Sequence, residues 1–215
     1  MLCKNRPEGF GPHSTLSSPI PTTCFVDVIL VPIPVWIALA VLPLTLFLST
    51  RHHRGGANVE NATGFPRAQP PRRWLYRTTA TVYYLLIVAN ILMQTLEIVR
   101  LALIHFGIGL LPFSYVGLLL GGALHWSRGA GGRIAGWEGV NAVLWIGGMV
   151  MTVVKTVGLV NEGIHGRKGS KYPVVDQVTD VAVIAGVYLV IQVLEVVLGW
   201  WRRKSRRANE GMVGK

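Results

Sequence analysis

Five apolar stretches of about 20 residues alternate along the chain with polar connections, and arginine is concentrated in every second connection. Roughly 20 apolar helical residues cross the ~30 Å hydrocarbon core of a bilayer, and a helix in lipid satisfies its backbone hydrogen bonds internally. The pattern predicts an all-α, polytopic membrane helical bundle of five transmembrane helices. The spans fall at about 25–48, 82–104, 107–126, 140–160 and 178–201, with a polar tail at 1–24 and a basic tail at 202–215.

Local chemistry shapes these elements. Pro32 and Pro34 suit the first turn of span one, whereas Pro43 lies inside it and is expected to kink it. The connection from Ser49 to Thr78 holds Arg51, Arg54, Arg67, Arg72, Arg73 and Arg77 together with Gly55, Gly56, Pro66, Pro70 and Pro71, the composition of a flexible loop with polyproline character. Spans two and three, separated by a short turn from His105 to Gly109, form a helical hairpin. Trp200 and Trp201 suit a headgroup boundary at the end of span five.

Orientation follows from Lys and Arg. Fourteen lie in the first connection, the third connection and the basic tail, against five in the polar tail and the stretch from Asn161 to Gln177, with Arg100 and Lys155 inside spans. The positive-inside rule then puts the N-terminus outside and the C-terminus in the cytoplasm. Met1 to Cys24 contains no apolar core segment, so span one is expected to direct insertion itself. Asn61-Ala62-Thr63 is a glycosylation sequon in the connection assigned to the cytoplasm, and a glycan on Asn61 would invert the topology.

Composition agrees with a membrane class: mean hydropathy is +0.44 and charged residues make up 14% of the chain, against about 25% in soluble domains. The net charge of +11 sits between apolar spans and in the tail, where anionic headgroups rather than nucleic acid are the expected partner. Cys3 and Cys24, both outside in this topology, are either a disulfide closing the polar tail or two thiols.

Charges inside the spans are the unusual residues. Asn90, Gln94 and Glu97 share one helical face in span two, with Arg100 a turn beyond. Span four carries Asn141, Thr152 and Lys155 on a common face, and span five carries Tyr188, Gln192 and Glu195 within a narrow arc, with Asp180 near its outer end. A charge at mid-bilayer costs about 2.5–3.5 kcal/mol on insertion scales, so these groups are expected to meet one another or a cavity. Glu97, Arg100 and Lys155 are placed to form an ion-pair cluster joining spans two and four, unless Lys155 snorkels to the interface. Glu195, nearer the inner side, is expected to meet Arg72, Arg73 or Arg77. Gly117 and Gly121 form a GxxxG pair beside Ser114 in span three, suited to close helix packing within the chain or against a partner, with Gly147, Gly148 and Gly158 of span four as its receivers. Arg202, Arg203, Lys204, Arg206 and Arg207 are expected to face anionic lipid and anchor the last helix.

Catalytic motifs are missing from the sequence. There is no Walker A loop, no G-x-G-x-x-G and no C-x-x-C, and His13, His52, His53, His105, His125 and His165 show no metal-ligand spacing, so no metal and no cofactor is expected.

The stretches LEIVRLALIHFGIGLLPFSYVGLLL (Leu96 to Leu120) and YPVVDQVTDVAV (Tyr172 to Val183) resemble small multi-pass membrane proteins of filamentous fungi, a resemblance that implies a membrane bundle and no particular activity. The five-span layout is similar to the N-terminal accessory membrane domain of long ABC transporters, which implies a membrane-protein partner. Three functions compete: a non-enzymatic accessory component of a membrane complex; a small oligomeric transporter or channel lined by Glu97, Arg100, Lys155 and Glu195; and an enzyme similar to the fungal membrane-bound terpene cyclases. The last ranks lowest, because those enzymes carry a Trp-Glu motif whereas Glu97 follows Leu96.

Overall fold

A computed structural model describes residues 29–54, 73–103, 110–128, 136–162 and 173–213. Cys3, Cys24 and Asn61 lie outside them. The described residues form five helices: α1 (Ile33–Arg54), α2 (Arg73–Leu103), α3 (Phe113–Trp126), α4 (Trp137–Glu162) and α5 (Val174–Val213). Three of these are long and apolar enough to cross a membrane, over Trp74–Leu103, Trp137–Val160 and Val175–Ser205, and α1 contributes a shorter apolar stretch, Ile33–Leu48.

The helix limits differ from the limits of the expected spans. Helix α1 is described from Ile33, where Val35 N–H and Trp36 N–H donate to the carbonyl of Pro32, and Phe25 lies outside the described residues. It then runs through Pro43 into what was assigned to the first connection. Helix α2 starts nine residues earlier than the apolar pattern, at Arg73, just ahead of the stretch Trp74–Leu103 that is long and apolar enough to cross a membrane. Helix α3 begins at Phe113, after a turn from Leu110 that closes on Pro112. Its 14 residues reach about 21 Å. Helix α5 carries the basic run Arg202–Arg207 as helix rather than as a tail and continues to Val213.

Burial repeats in steps of three and four on each long helix. The buried residues include Tyr83, Ile87, Asn90, Gln94, Glu97 and Leu101 on α2; Asn141, Trp145, Gly148, Thr152, Lys155 and Leu159 on α4; and Gln177, Val181, Ile184, Tyr188, Ile191, Glu195 and Leu198 on α5. A seven-residue repeat of this kind packs helices at small crossing angles. On α2 the opposite face, Leu85, Val88, Leu92, Leu96, Val99 and Leu103, is exposed and apolar. The seams hold the polar groups and the outside holds leucine and valine, which is the arrangement a lipid solvent selects, since association in lipid rests on close packing and interhelical hydrogen bonds.

Helices α2 and α4 both pack on α3 and α5, and α1 lies against α3 and α4. Contacts pair the early turns of α2 and α4 with the late turns of α3 and α5: Tyr83 and Asn141 reach Glu195, and His125 reaches it too. These four helices therefore run up and down alternately. Small residues set the spacing. A Cβ on Gly117 would lie 2.6 Å from Val35 of α1, and one on Gly121 would collide with the Trp145 ring of α4.

Candidate functional site

The polar side chains gather at two levels of the bundle core. Fourteen residues separate Tyr83 from Glu97 on α2 and Asn141 from Lys155 on α4, which puts the levels about 21 Å apart along the helices.

The first level is built around Glu195 of α5, whose side chain is almost fully buried. The Tyr83 hydroxyl on α2 donates to its Oε2 at 2.5 Å, and the Trp145 indole N–H on α4 donates to the same oxygen at 3.3 Å. The Asn141 amide, also on α4, lies 3.4 Å from Oε2 and donates at 3.1 Å to the backbone carbonyl of Gly121 on α3. On the other oxygen, His125 Nδ1 of α3 is 3.0 Å from Oε1. One carboxylate therefore ties together four helices. The Tyr83 ring lies 4.5 Å from the His125 ring and edge-on to Trp145 at 6.5 Å, so aromatic faces shield the acid from lipid. Of the arginines expected at this acid, Arg77 is exposed on α2, while Arg72 and the side chain of Arg73 lie outside what is described; neutral donors from α2 and α4 and an imidazole from α3 reach the carboxylate.

The second level holds two ion pairs. Lys155 Nζ lies 3.2 Å from Glu97 Oε1, both buried, and joins α4 to α2. Lys155 therefore points into the core rather than snorkelling. Arg100, a turn further along α2, pairs with Asp180 of α5. Between the levels, the Gln94 amide donates to Asn90 Oδ1 at 3.1 Å and to the Tyr188 hydroxyl at 2.8 Å, so this stretch of α2 is tied to α5 as well. Asn90 Nδ2 and Gln94 Oε1 have no hydrogen-bond partner, and Gln94 lines a small cavity together with Glu97, Thr152 and Lys155. Gln192 is half-buried on α5, its Oε1 without a partner, and it stays outside the Glu195 bonds.

Ile87, Ile191 and Leu144 pack in the core beside these polar groups. The bonds of Gln94 to Asn90 and Tyr188 lie between the two levels, so polar side chains continue through the core from one to the other. Among the described residues no cluster of His, Cys, Asp and Glu is arranged to hold a metal ion.

Gly117 and Gly121 make their close contacts inside the chain, with α1 and α4 respectively. Gly147 receives Pro34 of α1 and Gly148 receives Tyr188 of α5, so neither glycine of α4 serves as the receiver expected for α3. In the basic run, the Arg202 guanidinium lies 4.9 Å above the Trp137 ring, Arg203 pairs with Glu138 at 3.4 Å, and the Lys204 ammonium lies 5.3 Å from the Trp200 ring. The arginines at 202 and 203 engage α4 as well as the exterior. Arg206 and Arg207 continue the helix.

The sequence reading named Glu195 but missed Tyr83, His125 and Trp145. Trp145, inside span four rather than at its edge, was the available signal, because an indole N–H in an apolar core needs an acceptor.

The fold and its polar seams define a helical membrane bundle with compensated internal charges. Comparison with protein-family models, with curated proteins and with solved structures finds no match for this chain.

Proposed function

We propose that the protein is a non-enzymatic, multi-pass component of a membrane complex, acting through association rather than through chemistry or transport. The observation that carries this reading is the use of every buried acid described here: Glu97 engages Lys155, and Glu195 engages His125, Tyr83, Trp145 and Asn141, all across helix boundaries. Charges committed to joining helices build a rigid bundle whose outer faces are apolar and available to lipid or a partner. In this reading α1 and α3 complete five spans, the N-terminus is outside, and the basic end with Trp74, Trp126, Trp200 and Arg202–Arg207 lies at the cytoplasmic leaflet, in line with the positive-inside rule and the aromatic belt.

The test is extraction of the tagged chain from its native membranes in mild detergent, with the complex composition read by mass spectrometry. A stoichiometric larger membrane protein is the expected result. A lone homo-oligomer overturns the accessory reading. The small cavity beside Gln94, Glu97 and Lys155 would then favour the oligomeric transporter, with Glu97→Gln abolishing flux as its mark.

A further inference from the structure

At the level of Glu97 and Lys155, α2 and α4 face each other across the middle of the bundle, both packed on α3 and α5 and running in the same direction. The register that sets Lys155 opposite Glu97 also sets Thr152, three residues earlier, opposite Gln94, because residues three apart share a helix face. The two levels differ in reach. Lysine and glutamate are long enough to meet across the bundle, at 3.2 Å. Threonine is short, and its hydroxyl is drawn back to its own helix, where it donates to the Gly148 carbonyl at 2.6 Å. Gln94 turns its amide nitrogen along α2 to Asn90 and across to Tyr188 of α5. Its Oε1 is buried and meets no donor.

A cavity of about 20 Å³ lies at this place, lined by Gln94, Glu97, Thr152 and Lys155, with Val181 and Ile184 of α5 beside them. That volume admits one water molecule, and the walls decide whether such a space is wet, since apolar cavities stay dry and cavities with two to four polar partners hold water. Both kinds of partner are present here. The Lys155 ammonium donates, whereas Gln94 Oε1, the Glu97 carboxylate and the Thr152 oxygen accept. A buried amide oxygen without a donor is costly, and ordering one bridging water costs little against it.

We propose that one water molecule is bound between Gln94 and the Glu97–Lys155 pair, accepting from Lys155 Nζ and donating to Gln94 Oε1. It completes the bonding of α2 to α4 at the level where the side chains fall short, and it is held there rather than passed along the bundle. Hydroxyl radicals made from bound water by X-ray pulses oxidise the side chains next to it, so radiolytic footprinting of the full chain in phosphatidylcholine nanodiscs, read by mass spectrometry, tests the site. Ile184, 5% exposed and beside the cavity, is expected to be labelled several-fold more than Ile191, which is 0% exposed and lies outside the cavity lining. After brief mixing with heavy-oxygen water the label is expected to keep ordinary oxygen, because a held water exchanges slowly. Thr152→Leu fills the cavity from α4 and spares the bonds of Gln94 to Asn90 and Tyr188, so the label on Ile184 is expected to fall to the level of Ile191. Equal labelling of the two isoleucines in the wild-type chain overturns the site, whether or not T152L folds. A folded T152L with undiminished label on Ile184 overturns it as well. Rapid incorporation of heavy oxygen would reveal a path open to bulk water, which overturns the held water and turns the proposed function toward transport, whereas a dry cavity removes this inference alone.

Discussion

Glu195 concentrates more of the bundle's polar bonding than any other described side chain, because donors from α2, α3 and α4 converge on its two oxygens. Removing the carboxylate strands all of them in an apolar core. Glu195→Ala is therefore expected to destabilise the folded bundle by about 3–5 kcal/mol, the usual cost of breaking a buried polar pair from one side. Glu195→Gln loses less, since the amide oxygen still accepts from Tyr83 or Trp145. Unfolding of the purified variants by SDS in mixed micelles ranks the two, and equal losses would contradict the account. Lys155 and Glu97 give a second residue-scale case. Lys155→Met leaves a buried carboxylate and costs more than the double variant Glu97→Gln with Lys155→Met, so a double-mutant cycle should return a favourable coupling. The polar face of α2 was legible from the spacing of Asn90, Gln94 and Glu97, which helix geometry alone puts in line. Tyr83 and His125 were not legible, since an aromatic side chain in an apolar stretch reads the same whether it faces lipid or core.

At the scale of elements, glycine contacts fix how closely the helices approach. Gly121→Ala would place a methyl group against the Trp145 ring and break the register of α3 on α4, an overpacking that costs about 1–3 kcal/mol. Gly186 on α5 has nothing near its missing Cβ, so Gly186→Ala should stabilise by about 0.5–1 kcal/mol through helix propensity. Thermal unfolding in one detergent compares both, and opposite signs are expected. The GxxxG spacing was visible in the sequence, but its partners were not: Gly117 receives α1 while Gly121 receives α4. Hydropathy marks where lipid would be and not where hydrogen bonding stops, so helices run past the expected spans at several ends. Helix α5, 40 residues long, extends about 60 Å, twice a hydrocarbon core, so its basic turns stand clear of the lipid interior as rigid helix.

The whole molecule is a layered object: apolar outside, polar seams inside, a basic and aromatic end beyond Glu195. In sealed microsomes with the cytoplasmic face outward, added protease should remove a C-terminal tag and spare an N-terminal one. Endoglycosidase treatment should cause no shift, because the sequon at Asn61 lies on the cytoplasmic side in this topology. Protection of the C-terminal tag, or a glycan on Asn61, would invert the arrangement. The sequence by itself determined the helical class, the apolar stretches and which polar residues share a face, because hydropathy and helical period are local properties. The tertiary structure alone decided that Glu195 meets His125 and Tyr83, that Arg100 pairs with Asp180 and that Lys155 pairs with Glu97. Those choices depend on the lateral order and rotation of helices, which arise from side-chain packing between distant segments and leave no periodic trace in any one of them.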